Sequence, residues 1–274
     1  MRRRPFARAA LALGLAAAVP GPPARAEGVQ VAILHTNDLH GRIDPAVRLL
    51  ETIRALRARH PASILLDAGD AFESKVPGSV ETGGREMVAF MNRAGYDGRA
   101  FGDNEFVDFR LEDALANVKR LAFPTLSANL RVKGVPLGLP YFVYQRGGAT
   151  LAVIGVYGDH KSLARFGVEE LSSKESVREL ASALAGKVDC IVLLSHAGVK
   201  RERGYAKAIP GIDVIVGGST HATLDPEVVG KTVIVRAEAR GAAVGALVLE
   251  IDTDRDRVQK WSFERVPTAA AGRP

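Results

Sequence analysis

Residues 29–41, VQVAILHTNDLHG, open as a nearly unbroken apolar run and turn polar within a few positions. Such a run reads as a strand buried on both faces, and its polar end as the loop at the strand's carboxyl end. The pattern recurs at residues 63–70 (SILLDAGD), 189–198 (DCIVLLSHAG) and 212–222 (IDVIVGGSTHA), where apolar runs end in Asp, Ser or His. Between them lies helical spacing. Ala46, Leu49, Leu50, Ile53 and Leu56 share one face, and Pro61 punctuates the end. Helices are also expected near 87–93, after the Gly-rich loop SVETGGRE, at 111–121 before Pro124, at 174–184, and briefly before Ile212. A short strand feeds FGDNEF, TLSANL is another, and residues 141–158 read as two strands joined by the hairpin signal Gly147-Gly148. The last quarter alternates strands and turns. This is an α/β chain, a mixed sheet pair flanked by helices. No Pro/Ser-rich linker divides it, so one domain is expected over 27–267, with a flexible tail over 268–274.

Residues 1–26 stand apart. A basic start, an apolar stretch over 9–19, a Pro/Gly break and small residues at Ala24 and Ala26 read as a signal peptide cleaved after Ala26, placing the product in the periplasm or outside the cell. RRPFAR resembles a twin-arginine export signal. The apolar stretch is too short to span a bilayer, and no cysteine offers a lipid anchor, so no stable membrane anchor is expected. The leader holds five arginines and no acid, and so carries five of the six formal positive charges. The basic pI near 9.6 therefore belongs largely to the leader. No basic stripe with interleaved aromatics remains, which argues against a nucleic-acid polymer as partner. The single cysteine, Cys190, lies in an apolar run and reads as core; an intramolecular disulfide is impossible.

Chemistry gathers at the strand ends. The first gives Asp38 and His40, the second Asp70, the third Asp103 and Asn104, and the later two His196 and His221. Carboxyl ends of strands in open α/β sheets meet in one crevice, so these three carboxylates and three imidazoles can converge on a metal. Mixed Asp/His ligation suits zinc, manganese or iron better than calcium. Of the other histidines, His35 at the end of the first strand is expected to orient a neighbour, while His60 and His160 are expected at the surface.

In that order, ILHTNDLHG, ILLDAGD, GDNEF, LSANL, LLSHAG and GGSTHA resemble the 5′-nucleotidase-like branch of the calcineurin-type metallophosphoesterases across essentially the whole mature chain. The resemblance implies a four-layer α/β/β/α sandwich and one or two divalent ions. A metal-bound hydroxide would attack a small phosphate ester or related oxyanion. It assigns Asp38, His40 and His221 to the first metal, Asp70 to the bridge, and His196 and Asp103 to the second. Asn129 of LSANL and His35 are possible supporting residues.

Three departures follow. Where the family reads Gly-Asn-His-Glu-Phe-Asp, this chain has Gly102-Asp103-Asn104-Glu105-Phe106-Val107. Asp103 replaces an asparagine ligand and is placed among the catalytic residues. Asn104 replaces the histidine of the catalytic dyad, and Val107 its aspartate, with Asp108 adjacent. Asn104 can donate a hydrogen bond but cannot deliver a proton, a loss of about 10²–10⁴-fold in rate. In GGSTH, Ser219 occupies the place of a second-metal histidine and is at best a weak ligand. Typical 5′-nucleotidases carry a second, base-stacking domain; this chain ends near where that domain would begin, so nucleotide specificity has no identifiable source in this sequence. The leading expectation is an exported metal-dependent phosphoester hydrolase with an altered dyad. The alternatives are a non-catalytic metal- or anion-binding protein on the same fold, or a sulfur-oxyanion hydrolase. A purely structural role leaves the ordered ligand set unexplained.

Overall fold

The structure, a computed structural model, describes residues 28–42, 46–73, 75–76, 79–158 and 163–268. The leader over 1–26, His160 and residues 269–274 of the expected tail lie outside them. Thr268, the tail's first residue, is bonded rather than loose: its N–H donates to Ala242 O at 2.9 Å and its hydroxyl to Gly241 O at 2.7 Å.

Two six-stranded sheets face each other. Across the first run Arg257–Pro267, Ala243–Asp252, Val29–Thr36, Ser63–Asp67, Gly98–Ala100 and Thr125–Leu126. Across the second run Glu227–Val229, Thr232–Val235, Val214–Gly217, Cys190–His196, Ala149–Tyr157 and Tyr141–Arg146. Val29–Thr36 pairs in parallel with Ser63–Asp67 and antiparallel with Ala243–Asp252. Cys190–His196 lies between two parallel neighbours, Ala149–Tyr157 and Val214–Gly217. The hairpin closes Arg146 on Ala149, with Gly147 and Gly148 at φ 57° and 90°, the left-handed values such a turn demands.

Side-chain alternation builds the layers. Val31, Ile33, Ile64, Leu66, Val153, Val192, Leu194, Val214 and Leu249 fill the space between the sheets, and the free Cys190 is buried among them. The opposite face of the first sheet offers Ala32, Leu34, Leu65 and Ala246 to helices Ala46–Arg59 and Arg85–Ala94. Ile154, Ile191, Leu193 and Ile215 of the second sheet meet helices Ser173–Leu184 and Val199–Ala208. This is the expected α/β/β/α order. Two four-residue helices, Ser79–Thr82 and Asn104–Val107, stand where the sequence suggested loop. His60 is half-buried at the end of Ala46–Arg59, its N–H bonded to Leu56 O at 2.8 Å. None of the described helices is long and apolar enough to cross a membrane.

Candidate metal centre

The parallel strands of both sheets deliver their carboxyl ends to one crevice, and the loops that follow are tied to one another through the main chain. Asp38 N–H donates to Gly69 O and His40 N–H to Asp70 O, both at 2.9 Å, fastening the first loop to the second. Arg240 N–H donates to Asp38 O at 2.7 Å, and Ala237 N–H to the Asn37 side-chain oxygen at 3.0 Å. The backbone is forced. Asp38, His40, Asp70, Ser219, His221 and Arg240 all sit at φ between 50° and 76°, a region L-residues seldom occupy. Such conformations cost of order 1–3 kcal/mol each and persist where the surroundings over-determine them, as they do at functional sites. Gly102 must lack a side chain, because a Cβ there would overlap the Asp70 carboxylate.

Five of the six predicted ligand residues form two overlapping groups, and the sixth, Asp103, flanks His196. Asp38, His40 and His221 make one and Asp38, Asp70 and His196 the other, each with its donor atoms within 4.8 Å of one another. The Nε2 atoms of His40 and His221 face each other at 2.8 Å, and His221 Nε2 lies 3.4 Å from Asp38 Oδ1. His196 Nε2, fully buried and without a hydrogen-bond partner, points between Asp70 Oδ2 at 3.5 Å and Asp103 Oδ1 at 3.8 Å. Its other nitrogen lies 2.8 Å from Ala68 O. That contact places a proton on Nδ1, so that a cation bound among the carboxylates would meet the Nε2 lone pair. The shared residue is Asp38. Asp70, which the resemblance makes the bridge, joins only the second group, and its Oδ1 accepts Asn104 N–H at 3.0 Å.

The electrostatics suit a bound cation. Burial opposes charge on His196, yet Asp70, Asp103 and Asp38 together raise its imidazole well above the ordinary value. Burial likewise opposes ionisation of Asp38, but the His221 hydrogen bond and the His196 charge hold its carboxyl below the usual range. Carboxylates that pull a proton so strongly onto the buried His196 imidazole supply the field a divalent ion would satisfy, and the mixed O/N donors fit zinc, manganese or iron.

The supporting residues depart from expectation. His35 orients no ligand: both its nitrogens lack a hydrogen-bond partner, and the ring lies between the sheets, stacked on Phe263 at 5.9 Å. Strand alternation puts it on the Ile33 side, where burial and then Arg265 push its pKa down to about 3, so it is neutral. Asn129 lies off the donor set and staples Tyr157, accepting its N–H at 3.0 Å and donating to its carbonyl at 2.9 Å. Tyr157 in turn stacks on His196 at 6.4 Å. Ser219 contributes through its main chain, its N–H reaching both Asp38 oxygens at 3.1 and 3.0 Å. Asn104 does not stand free in the crevice, for its Nδ2 lies 3.0 Å from His40 Nδ1.

Other residues were not anticipated. Asn37 donates to Asp38 Oδ2 at 2.7 Å, and Glu73 Oε2 lies 3.1 Å from His40 Nδ1. Arg236 is buried against Glu202 and donates to Gly218 O at 2.7 Å and Thr220 Oγ1 at 3.2 Å, which holds the loop bearing His221. Arg99, fully buried between the Phe72 and Phe101 rings, pairs with Glu105, whose other oxygen accepts Gly102 N–H at 2.8 Å. Arg236 carried a readable signal, since it ends the apolar run TVIV as the ligands end theirs.

A family model described as calcineurin-like phosphoesterase matches residues 31–223. The chain is 31% identical over 245 residues to the 5′-nucleotidase of Rattus norvegicus, covering 78% of this chain and 42% of that protein. It is 29% identical over 231 residues to the uncharacterized metallophosphoesterase YunD of Bacillus subtilis, covering 81% and 50%. The chain thus spans half or less of the length of these relatives. Among solved structures, a 5′-nucleotidase precursor from Thermus thermophilus superposes with TM-score 0.76 at 25% identity, over 87% of this chain and 54% of that one. The sulfate thiohydrolase SoxB of the same organism shares the fold, with TM-score 0.77 at 22% identity over 91% and 58%.

Proposed function

We propose, on the premise that this chain belongs to the calcineurin-like phosphoesterase family, that it is an exported metal-dependent hydrolase of a small phosphate ester or related oxyanion. One observation carries the reading: His196 Nε2, buried and unpartnered, faces the carboxylates of Asp70 and Asp103 inside two overlapping groups of five candidate ligands. Asp38, His40 and His221 would hold one divalent ion, and Asp70, Asp103 and His196 a second, with Asp38 reaching both groups. Bound there, such ions polarise a phosphoryl oxygen and acidify water. The chain's own part is positional. Asn37 and the Ser219 N–H fix the Asp38 carboxylate, Ala68 O fixes the His196 ring, and Arg236 holds the loop of His221. The relatives named as 5′-nucleotidases motivate a phosphate ester, and the leader over 1–26 motivates action in the periplasm or outside the cell.

A second reading, a non-catalytic metal-binding protein, is favoured by the engagement of Asn104 with His40, which leaves that turn without a proton donor. Elemental analysis of the purified protein, with hydrolysis of an aryl phosphate and an aryl sulfate under added Mn²⁺, Zn²⁺ or Fe²⁺, separates the two. Two ions with phosphate turnover support the enzyme, and preference for the sulfur ester moves the substrate class. Bound metal with neither activity sinks the hydrolase and leaves the binding protein.

A further inference from the structure

Glu73 and Asn104 meet at one atom. Glu73 Oε2 is 3.1 Å from His40 Nδ1, and the side-chain amide of Asn104 is 3.0 Å from the same nitrogen. The opposite nitrogen of that ring, Nε2, faces His221 Nε2 at 2.8 Å and Asp38 Oδ1 at 4.0 Å. His40 itself is strained at φ 52° and its side chain is 9% exposed, so the ring has little freedom beyond what these contacts allow.

We infer that Glu73 is a positioning residue for the metal centre and that the altered turn has been turned to the same task. A carboxylate only accepts, so Glu73 selects the tautomer with hydrogen on Nδ1. The lone pair on Nε2 then faces the donor group of Asp38 and His221, where a cation would sit. Asn104 serves the same hydrogen by presenting its amide oxygen, an orientation interchangeable with the opposite one by rotation about the side chain. Its main chain is already fixed, because its N–H donates to Asp70 at 3.0 Å. Position 104 therefore joins a ligand of the first group to a ligand of the second, and its side chain acts on a ligand rather than on substrate. Residues outside the ligand set that orient a ligating histidine typically govern metal affinity by about 10–100-fold.

The inference rests on the metal-centre reading but not on hydrolysis, so its test uses Zn²⁺ alone. In the full chain, competition with a chromogenic chelator should show the tightest Zn²⁺ weakened about 10–100-fold in Glu73→Gln and less in Glu73→Asp. Asn104→Ala should show a smaller loss. Far-UV circular dichroism of the metal-free variants should match wild type, since Glu73 lies at the crevice edge, outside the core. Zn²⁺ affinity of Glu73→Gln within about two-fold of wild type would overturn the inference, being far below the usual effect of such a contact. A second measurement needs no variant. Nitrogen-15 NMR of the Zn²⁺-loaded wild type should show His40 coordinated through Nε2 with a slowly exchanging Nδ1–H, and coordination through Nδ1 would overturn it equally. Absence of ester hydrolysis with these results intact would strike only the proposed activity. A wild type that binds no Zn²⁺ would strike both.

Discussion

If the turn at residues 103–107 is what restrains phosphoester turnover, restoring its proton chemistry should release it. Asn104 and Val107 open and close one helical turn, Asn104–Val107, with Asp108 N–H returning to Asn104 O at 3.0 Å. Residues three apart on a helix are neighbours on one face, and both side chains are half-buried. Asn104→His with Val107→Asp therefore sets an imidazole beside a carboxylate that can orient it, on a backbone pinned by the bond from Asn104 N–H to Asp70. A positioned general acid contributes about 10²–10⁴-fold, or about 3–5 kcal/mol of barrier. The new ring must leave the place beside His40 Nδ1 that Asn104 holds, so metal affinity falls and the comparison belongs at saturating Mn²⁺. The assay is kcat for an aryl phosphate, with metal content measured in the same sample. The double variant should gain at least about 10²-fold, Asn104→His alone a part of that, and Val107→Asp alone nothing, because an orienting carboxylate has no imidazole to act on. A fully metal-loaded double variant no faster than wild type would refute the reasoning. The restraint would then lie at Ser219 or in the choice of substrate.

The remaining predictions concern the centre and its frame. His196→Ala removes the imidazole between Asp70 and Asp103, and elemental analysis should show loss of the second ion while the group of Asp38, His40 and His221 keeps its own. Arg236→Met leaves Glu202 buried beside no cation, which should cost about 3–5 kcal/mol in urea unfolding. Arg236→Met with Glu202→Leu should recover much of that, and a single variant as stable as wild type would show the pair to be dispensable. Burial, opposed by Arg99 and Thr36, pushes the Asp67 carboxyl from its ordinary 3.8 up to about 7. The folded chain thus keeps a proton that the unfolded chain has released between about pH 4 and 7, and this contribution to stability is lost as pH rises through that window. At about 1.4 kcal/mol per unit the loss approaches about 4 kcal/mol. Urea unfolding in chelator should show it in wild type and not in Asp67→Asn, and parallel pH profiles would count against it.

What could be read in advance divides along a physical line. Strands buried on both faces must be continuous apolar runs, and the loops after them are the exposed ends of parallel sheets, so the layers and the convergence of candidate ligands were both legible from residues such as Ile33, Leu66, Asp38 and His221. Contacts made by main-chain groups or between distant segments leave no such periodicity. The Ser219 N–H serves Asp38 whatever side chain position 219 carries, so a substitution that looks like a lost ligand retains a role. Glu202 and Arg236 meet only because a helix and the loop after strand Thr232–Val235 bring them together, and neither residue type alone predicts burial. His35 shows the converse: a strand-end histidine attracts a functional reading, yet alternation along the strand sends it to the inter-sheet face, against Phe263. Asn104 belongs to both cases. Its identity marks a missing proton donor, but only its 3.0 Å approach to His40 shows that the position is occupied in a different way. A change there should therefore be judged by metal affinity as well as by turnover, since a side chain at 104 that reaches His40 would act on a ligand whatever it does for proton delivery.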